Sequence, residues 1–225
     1  MSTETNTQTT RISRLPLVRT LARALLPALL ATRITPNQIT FASLLFGIGA
    51  CVCYLRGNTP WTIIGAMLFI ACYVLDNYDG DVARNKALTS RSGALFDTSV
   101  DSVVHVLLFA AMGAGLAHVR DETLWLWLGL SASLGAAINS TLAIAGEVRN
   151  NGHEPNLPGA NATQPHGANE WILFALRELG RADFCFLLAV ATFADIHNWL
   201  LASSAAGAHL YWMSAFHKAA RRFHV

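Results

Sequence analysis

Apolar residues along this chain gather into long runs broken by short polar stretches, and the runs set the elements. Runs of about 17–25 apolar residues, enough to cross ~30 Å of hydrocarbon as a helix, recur through the sequence. Thr35-Pro36-Asn37 is a helix-start signal, with Thr35 as N-cap and Pro36 at the first helical position. The first span then runs from about Gln38 to Leu55. Gly57-Asn58-Thr59-Pro60 forms a turn, and the second span leads from near Trp61 to Asp76. Residues 77–92 read as a polar connection. A third span follows from near Gly93 to His118, a fourth from about Leu124 to Ala145, and two short ones over about 182–197 and 199–217.

Before the first span the pattern changes. Residues 1–10 are polar and read as a disordered tail. Over 11–33, Leu15, Val18, Leu21, Leu25, Leu26 and Leu29 recur at helical spacing among Arg14, Arg19 and Arg23, the pattern of a basic amphipathic helix on a membrane surface. Residues 146–168 form the longest loop, and 169–181 a short amphipathic helix. The expected fold is an all-α membrane protein. Six transmembrane helices follow an N-terminal amphipathic interfacial helix, and residues 11–225 make one membrane domain.

Composition agrees: of 225 residues, 53% are hydrophobic and 13% charged. A net charge of +2 is too small to suggest a nucleic-acid partner, and no basic stripe interleaved with aromatics accompanies it. Residues 1–38 lack the order of a secretory signal, so the first span is expected to stay in the mature protein. The basic residues cluster in the N-terminal segment, 84–91, 149–181 and 218–222, whereas the opposite loops carry only Arg56 and Arg120. By the positive-inside rule both termini and the 77–92 connection are cytoplasmic, in a bacterial or archaeal inner membrane. Trp61, Trp125, Trp127 and Trp199 fall at the opposite ends of spans, as an aromatic belt would. Cys51, Cys53, Cys72 and Cys185 lie within spans and read as small core residues.

The chemistry concentrates in residues 76–101. Asp76, Asp79, Gly80, Ala83, Arg84, Gly93, Asp97 and Asp101 stand in the order D-x2-D-G-x2-A-R-x8-G-x3-D-x3-D. Asp76 and Asp79 are i,i+3 and Asp97 and Asp101 i,i+4, so each pair shares a helix face. Four carboxylates converging beside a membrane core repel one another and lose hydration, which points to two divalent metal ions between them. Gly80 and Gly93 leave room for close approach of nucleotide or phosphate, Ala83 keeps the same groove open, and Arg84 offers a fork to diphosphate oxygens. Ser90 and Asn37, near the motif, are further candidate nucleotide contacts. His105 continues the Asp97–Asp101 face and reads as a packed or hydrogen-bonded core histidine. Arg149, Arg177 and Arg181 suit either a phosphorylated acceptor or a positive-inside role. Gly113 and Gly115 permit close helix packing or a homodimer.

This pattern resembles the signature of the CDP-alcohol phosphotransferase family of integral membrane enzymes, with all eight positions at the family spacing. The resemblance implies transfer of a substituted phosphate from a CDP-linked lipid donor to a small polar alcohol, with release of CMP and with Mg or Mn as cofactor. It implies metal binding by Asp76, Asp79, Asp97 and Asp101, with Asp101 also the general base. The donor is expected to be CDP-diacylglycerol, in phospholipid biosynthesis. The reverse pairing, a CDP-alcohol with diacylglycerol, uses the same clamp. Two other classes compete. Membrane prenyltransferases also hold metal-bound diphosphate on Asp pairs, but typically in two distant motifs over more spans. A divalent-cation transporter would set its carboxylates near mid-membrane rather than at one interface.

Overall fold

A computed structural model describes residues 26–149 and 184–222. All regular structure among them is helical: α1 (Pro36–Arg56), α2 (Thr59–Asn85), α3 (Arg91–Arg120), α4 (Thr123–Arg149), α5 (Phe184–Phe193) and α6 (His197–Arg222). A short helical turn at 26–30 precedes them. The expected tail at 1–10, most of the surface helix at 11–33, and the interfacial helix at 169–181 lie outside the described residues.

Four of these helices, α1 to α4, are long and apolar enough to cross a membrane. Helix α5 is apolar but only 10 residues long. Helix α6 occupies the place of the sixth expected span, with Ser203, Ser204 and His209 interrupting its apolar pattern. Thr35 caps α1 as the sequence suggests, with Pro36 in the first turn, and its N–H donates to the Gln38 side chain at 3.0 Å. Gly57 ends α1 at φ 72°, a left-handed conformation that suits glycine.

The structure corrects the polar connection. Helix α2 does not stop at Asp76 but runs to Asn85, leaving a short connection at 86–90. Polarity alone suggested a loop, yet local bonds sustain the helix. Arg84 Nη2 donates to the Asp81 carboxylate at 2.6 Å, and the Asn85 amide donates to the Asp81 carbonyl at 2.8 Å. Across the connection, the Ser90 hydroxyl caps α3 by accepting from Gly93 N–H at 3.0 Å.

Helix α1 packs against both α2 and α3, α4 lies against α3, α5 against α2 and α6 against α4. Tyr54, Leu108, Met112, Leu188 and Leu201 are fully buried where they meet. Lipid removes most of the hydrophobic drive for helix association, so close packing and internal hydrogen bonds carry it. A Cβ on Gly113 would lie 2.6 Å from Gly129 Cα, and one on Gly115 would lie 2.0 Å from the Tyr54 carbonyl oxygen. Both glycines of α3 therefore serve packing within the chain. The Tyr54 hydroxyl meets Thr192 Oγ1 at 2.7 Å, joining α1 to α5. Trp212 Nε1 donates to His209 Nδ1 at 2.9 Å, which leaves the proton on Nε2 to donate to the Ser131 carbonyl at 3.1 Å and tie α6 to α4. All four cysteines are buried and none is in a disulfide.

Candidate active site

The extra turns of α2 set its carboxylates opposite the first turns of α3. Asp76, Asp79 and Asp97 each bring an oxygen within 4.8 Å of the others. Asp79 is only 3% exposed, and Asp76 and Asp97 are half-buried. At that separation two unit charges repel by about 3–4 kcal/mol at an effective dielectric of ~20. Asp97 Oδ1 is buried without a hydrogen-bond partner. An orphaned anionic oxygen among two further carboxylates suits a hard divalent cation, which takes oxygen donors of this kind. The donor set thus fits Mg or Mn.

Asp101 stands apart from that trio. Its Oδ1 lies 3.1 Å from His105 Nδ1, and its side chain is 53% exposed. The same Nδ1 lies 2.9 Å from the Asp101 carbonyl oxygen, so one N–H is shared between the two acceptors. The His105 ring is fixed edge-on to Phe69 at 5.7 Å and beside Phe184 at 5.9 Å. The histidine is packed and hydrogen-bonded as its place on the face suggested, and its bond is to Asp101. Beneath the carboxylates, Ser43, Tyr73, Asp76, Asp101 and His105 share a narrow cavity.

The other candidate residues fall into two groups. Asn37, Ser90 and Gly93 come together: a Cβ on Gly93 would lie 3.0 Å from Ser90 Oγ and 3.5 Å from Asn37 Oδ1. Asn37 also lines an open groove with Gln38, Phe41 and Phe96. Gly80 and Arg84 form the second group, since a Cβ on Gly80 would lie 3.2 Å from the Arg84 guanidinium. Ala83 is half-buried on the same helix, while the exposed Arg84 fork pairs with Asp81. Arg177, Arg181 and the side chain of Arg149 lie outside the described residues.

Sequence reasoning missed Thr40. Its buried hydroxyl donates to the Asp79 carboxylate and also lies 3.1 Å from the Pro36 carbonyl oxygen. The available signal was its position three residues after Asn37, which puts both on one face of α1.

Comparison with known proteins agrees with this geometry. A family model described as CDP-alcohol phosphatidyltransferase matches residues 33–155. The bifunctional IPC transferase and DIPP synthase of Thermococcus kodakarensis (strain ATCC BAA-918 / JCM 12380 / KOD1) is 30% identical over 112 residues, covering 50% of this chain and 24% of that protein. Its namesake in Aquifex aeolicus (strain VF5) is 30% identical over 106 residues, covering 47% and 24%. An uncharacterized Aquifex aeolicus protein is 34% identical over 107 residues, covering 46% of this chain and 53% of its own length. The chain thus spans about half of one relative and about a quarter of the other two. The matched residues 33–155 hold all eight motif positions and the three converging carboxylates, and the chain belongs to the CDP-alcohol phosphatidyltransferase family.

Proposed function

We propose that this protein transfers a phosphatidyl group from a CDP-linked lipid, CDP-diacylglycerol, to the hydroxyl of a small polar alcohol and releases CMP. The observation that carries this reading is the convergence of Asp76, Asp79 and Asp97 from two helices, with one Asp97 oxygen left unpartnered. These three side chains would hold Mg or Mn, as two ions with Asp101 adjoining. Metal bound there would neutralise the donor diphosphate and the charge gathering on the leaving CMP.

The chain's own residues do the rest. Asn37, Ser90 and Gly93 receive the nucleotide where their atoms come together, and Gly80 and Ala83 keep the adjoining face of α2 open. Arg84 reaches diphosphate oxygens by exchanging its exposed partner Asp81, which water screens. The acyl part of the donor lies along the groove of Phe41 and Phe96, both exposed on the apolar side. Asp101 accepts the proton of the acceptor hydroxyl, and His105 holds its carboxylate in place through the 3.1 Å contact of Nδ1 with Oδ1. The hydroxyl oxygen forms a bond to the lipid-bearing phosphorus, the bond from that phosphorus to the CMP oxygen breaks, and CMP leaves with the electron pair. The positive-inside distribution supports a cytoplasmic placement of this face and of both termini. Two relatives named as transferases support the class of reaction.

The test is CMP release from CDP-diacylglycerol by purified protein with Mn or Mg, across a panel of polar alcohols. Acceptor-dependent release, absent in Asp101→Asn, is the expected result. Release only from a CDP-alcohol with diacylglycerol would reverse the donor direction. Failure to bind CDP would overturn the enzymatic reading.

A further inference from the structure

Lys86 closes α2 at the edge of the site, and its ammonium group reaches across the chain. Nζ lies 2.8 Å from the Thr32 carbonyl oxygen, 2.9 Å from that of Ile34 and 3.3 Å from that of Leu29. An ammonium group has three N–H donors, so these carbonyls can use all of them. Among the described residues no carboxylate pairs with Lys86. A lysine serving only the positive-inside balance would extend into water. This one instead gathers carbonyls at the end of the 26–30 turn, where Leu29 also accepts from Thr32, and in the segment that leads into α1.

The segment it gathers leads to the site. Leu26, Leu29 and Leu30 pack on Ile39, Tyr78 and Val82, covering the face of α2 beside Asp79. From Ile34 the chain enters the Thr35 cap, then Asn37, and one turn later Thr40, whose hydroxyl reaches Asp79. Thr40 has one proton and two acceptors, the Pro36 carbonyl and the Asp79 carboxylate. The register of residues 34–36 decides how well that proton serves Asp79.

We infer that Lys86 is a positioning residue for the carboxylate site, fixing the chain before α1 so that Thr40 and Asn37 meet Asp79 and the nucleotide in register. This rests on the metal-binding reading above. Lys86 touches no reacting atom, so its removal acts on binding more than on the rate of the bound complex.

The experiment compares full-length protein with Lys86→Met, which keeps the stem and loses all three donors, and Lys86→Arg, which keeps a cationic donor. Mn(II) binding is read by electron paramagnetic resonance in detergent, with donor KM and kcat measured in parallel. Lys86→Met is expected to weaken Mn(II) binding by about threefold to fivefold, below the roughly tenfold lower end for a group bonded directly to a ligand, because Lys86 acts through Thr40. Donor KM should rise with kcat nearly unchanged, and Lys86→Arg should recover most of both. If Lys86→Met is not recovered folded, Lys86→Gln, neutral and with two N–H donors in place of three, is measured instead, with a smaller weakening in the same direction expected. A lowered melting temperature with Mn(II) affinity equal to wild type would overturn the inference and leave Lys86 a structural tie. Wild-type protein that binds Mn(II) but releases no CMP would refute the proposed function, while the Mn(II) titrations would still decide the role of Lys86.

Discussion

Replacing Asp97 with Asn should stabilise the metal-free protein while removing its response to metal. Asp97 contributes two of the three repulsive pairs in a cluster whose oxygens lie within 4.8 Å. Each pair costs about 3–4 kcal/mol at an effective dielectric of ~20, and the half-exposure of Asp76 and Asp97 lets water screen much of that, so about 2 kcal/mol of relief is expected. The new amide can also donate to Asp76 or Asp79 from the place where Asp97 Oδ1 stands unpartnered. For a chain of this size ~2 kcal/mol corresponds to a rise of about 5 °C in melting temperature. A thiol-reactive dye is a suitable probe, because all four cysteines are thiols outside any disulfide and buried until the helices separate. In EDTA, Asp97→Asn should melt above wild type. With millimolar Mn the order should reverse, since only wild type keeps the full set of anionic ligands. An Asp97→Asn protein that melts at or below wild type in EDTA, or that gains as much from Mn, would refute the electrostatic reasoning.

Three further outcomes follow from the same geometry. Thr40→Val, nearly isosteric, deletes a buried hydrogen bond to a carboxylate worth about 1.5–3 kcal/mol, so Mn(II) binding should weaken roughly tenfold or more; unchanged titrations would remove Thr40 from the site. Asp101→Asn should lower the rate by about 10²–10⁴ while retaining Mn(II) binding through the other three carboxylates; loss of binding would make Asp101 a principal ligand rather than the base. Gly113→Ala would bring a methyl group 2.6 Å from Gly129 Cα, where backbone cannot turn aside, and should cost about 1–3 kcal/mol in dye-monitored melting. A melting temperature equal to wild type would show that α3 and α4 do not pack at this crossing.

The i,i+3 and i,i+4 spacings of the motif led to four carboxylates, Asp76, Asp79, Asp97 and Asp101, on two facing helices, because helix periodicity is local; the structure brings the first three together and leaves Asp101 beside His105. The end of α2 was hidden by polarity: Asp81, Arg84 and Asn85 look like a loop, but their short-range bonds keep the helix intact to the edge of the site. Contacts between distant parts of the chain leave no periodic trace. Thr40 reaches Asp79 from another helix, and Lys86 reaches Leu29, Thr32 and Ile34 from the far end of α2. Asp101 contacts His105, and that ring is placed by Phe69 and Phe184 from two other helices. Gly113 and Gly115 were legible as close-packing residues; their partners, Gly129 and the Tyr54 carbonyl, were not.

At the opposite end of the bundle, the Arg56 guanidinium lies 5.7 Å from the Trp61 ring centroid and that of Arg120 lies 5.1 Å from the centroid of Trp125. Each pairs a cation with an indole, the two kinds of side chain that favour a headgroup layer. Together they mark one plane and turn the helices into a ruler. At about 1.5 Å per residue, Asp101 lies roughly 28 Å from Arg120 along α3, and Asp76 roughly 22 Å from Trp61 along α2. Against a hydrocarbon layer of ~30 Å, Asp101 falls near the other boundary and Asp76 several ångströms short of it. Bilayer thickness therefore becomes a variable of the chemistry. A thicker membrane anchored at the two arginine–tryptophan pairs would submerge the carboxylates and hinder entry of a water-soluble acceptor, and a thinner one would lift them toward the headgroups.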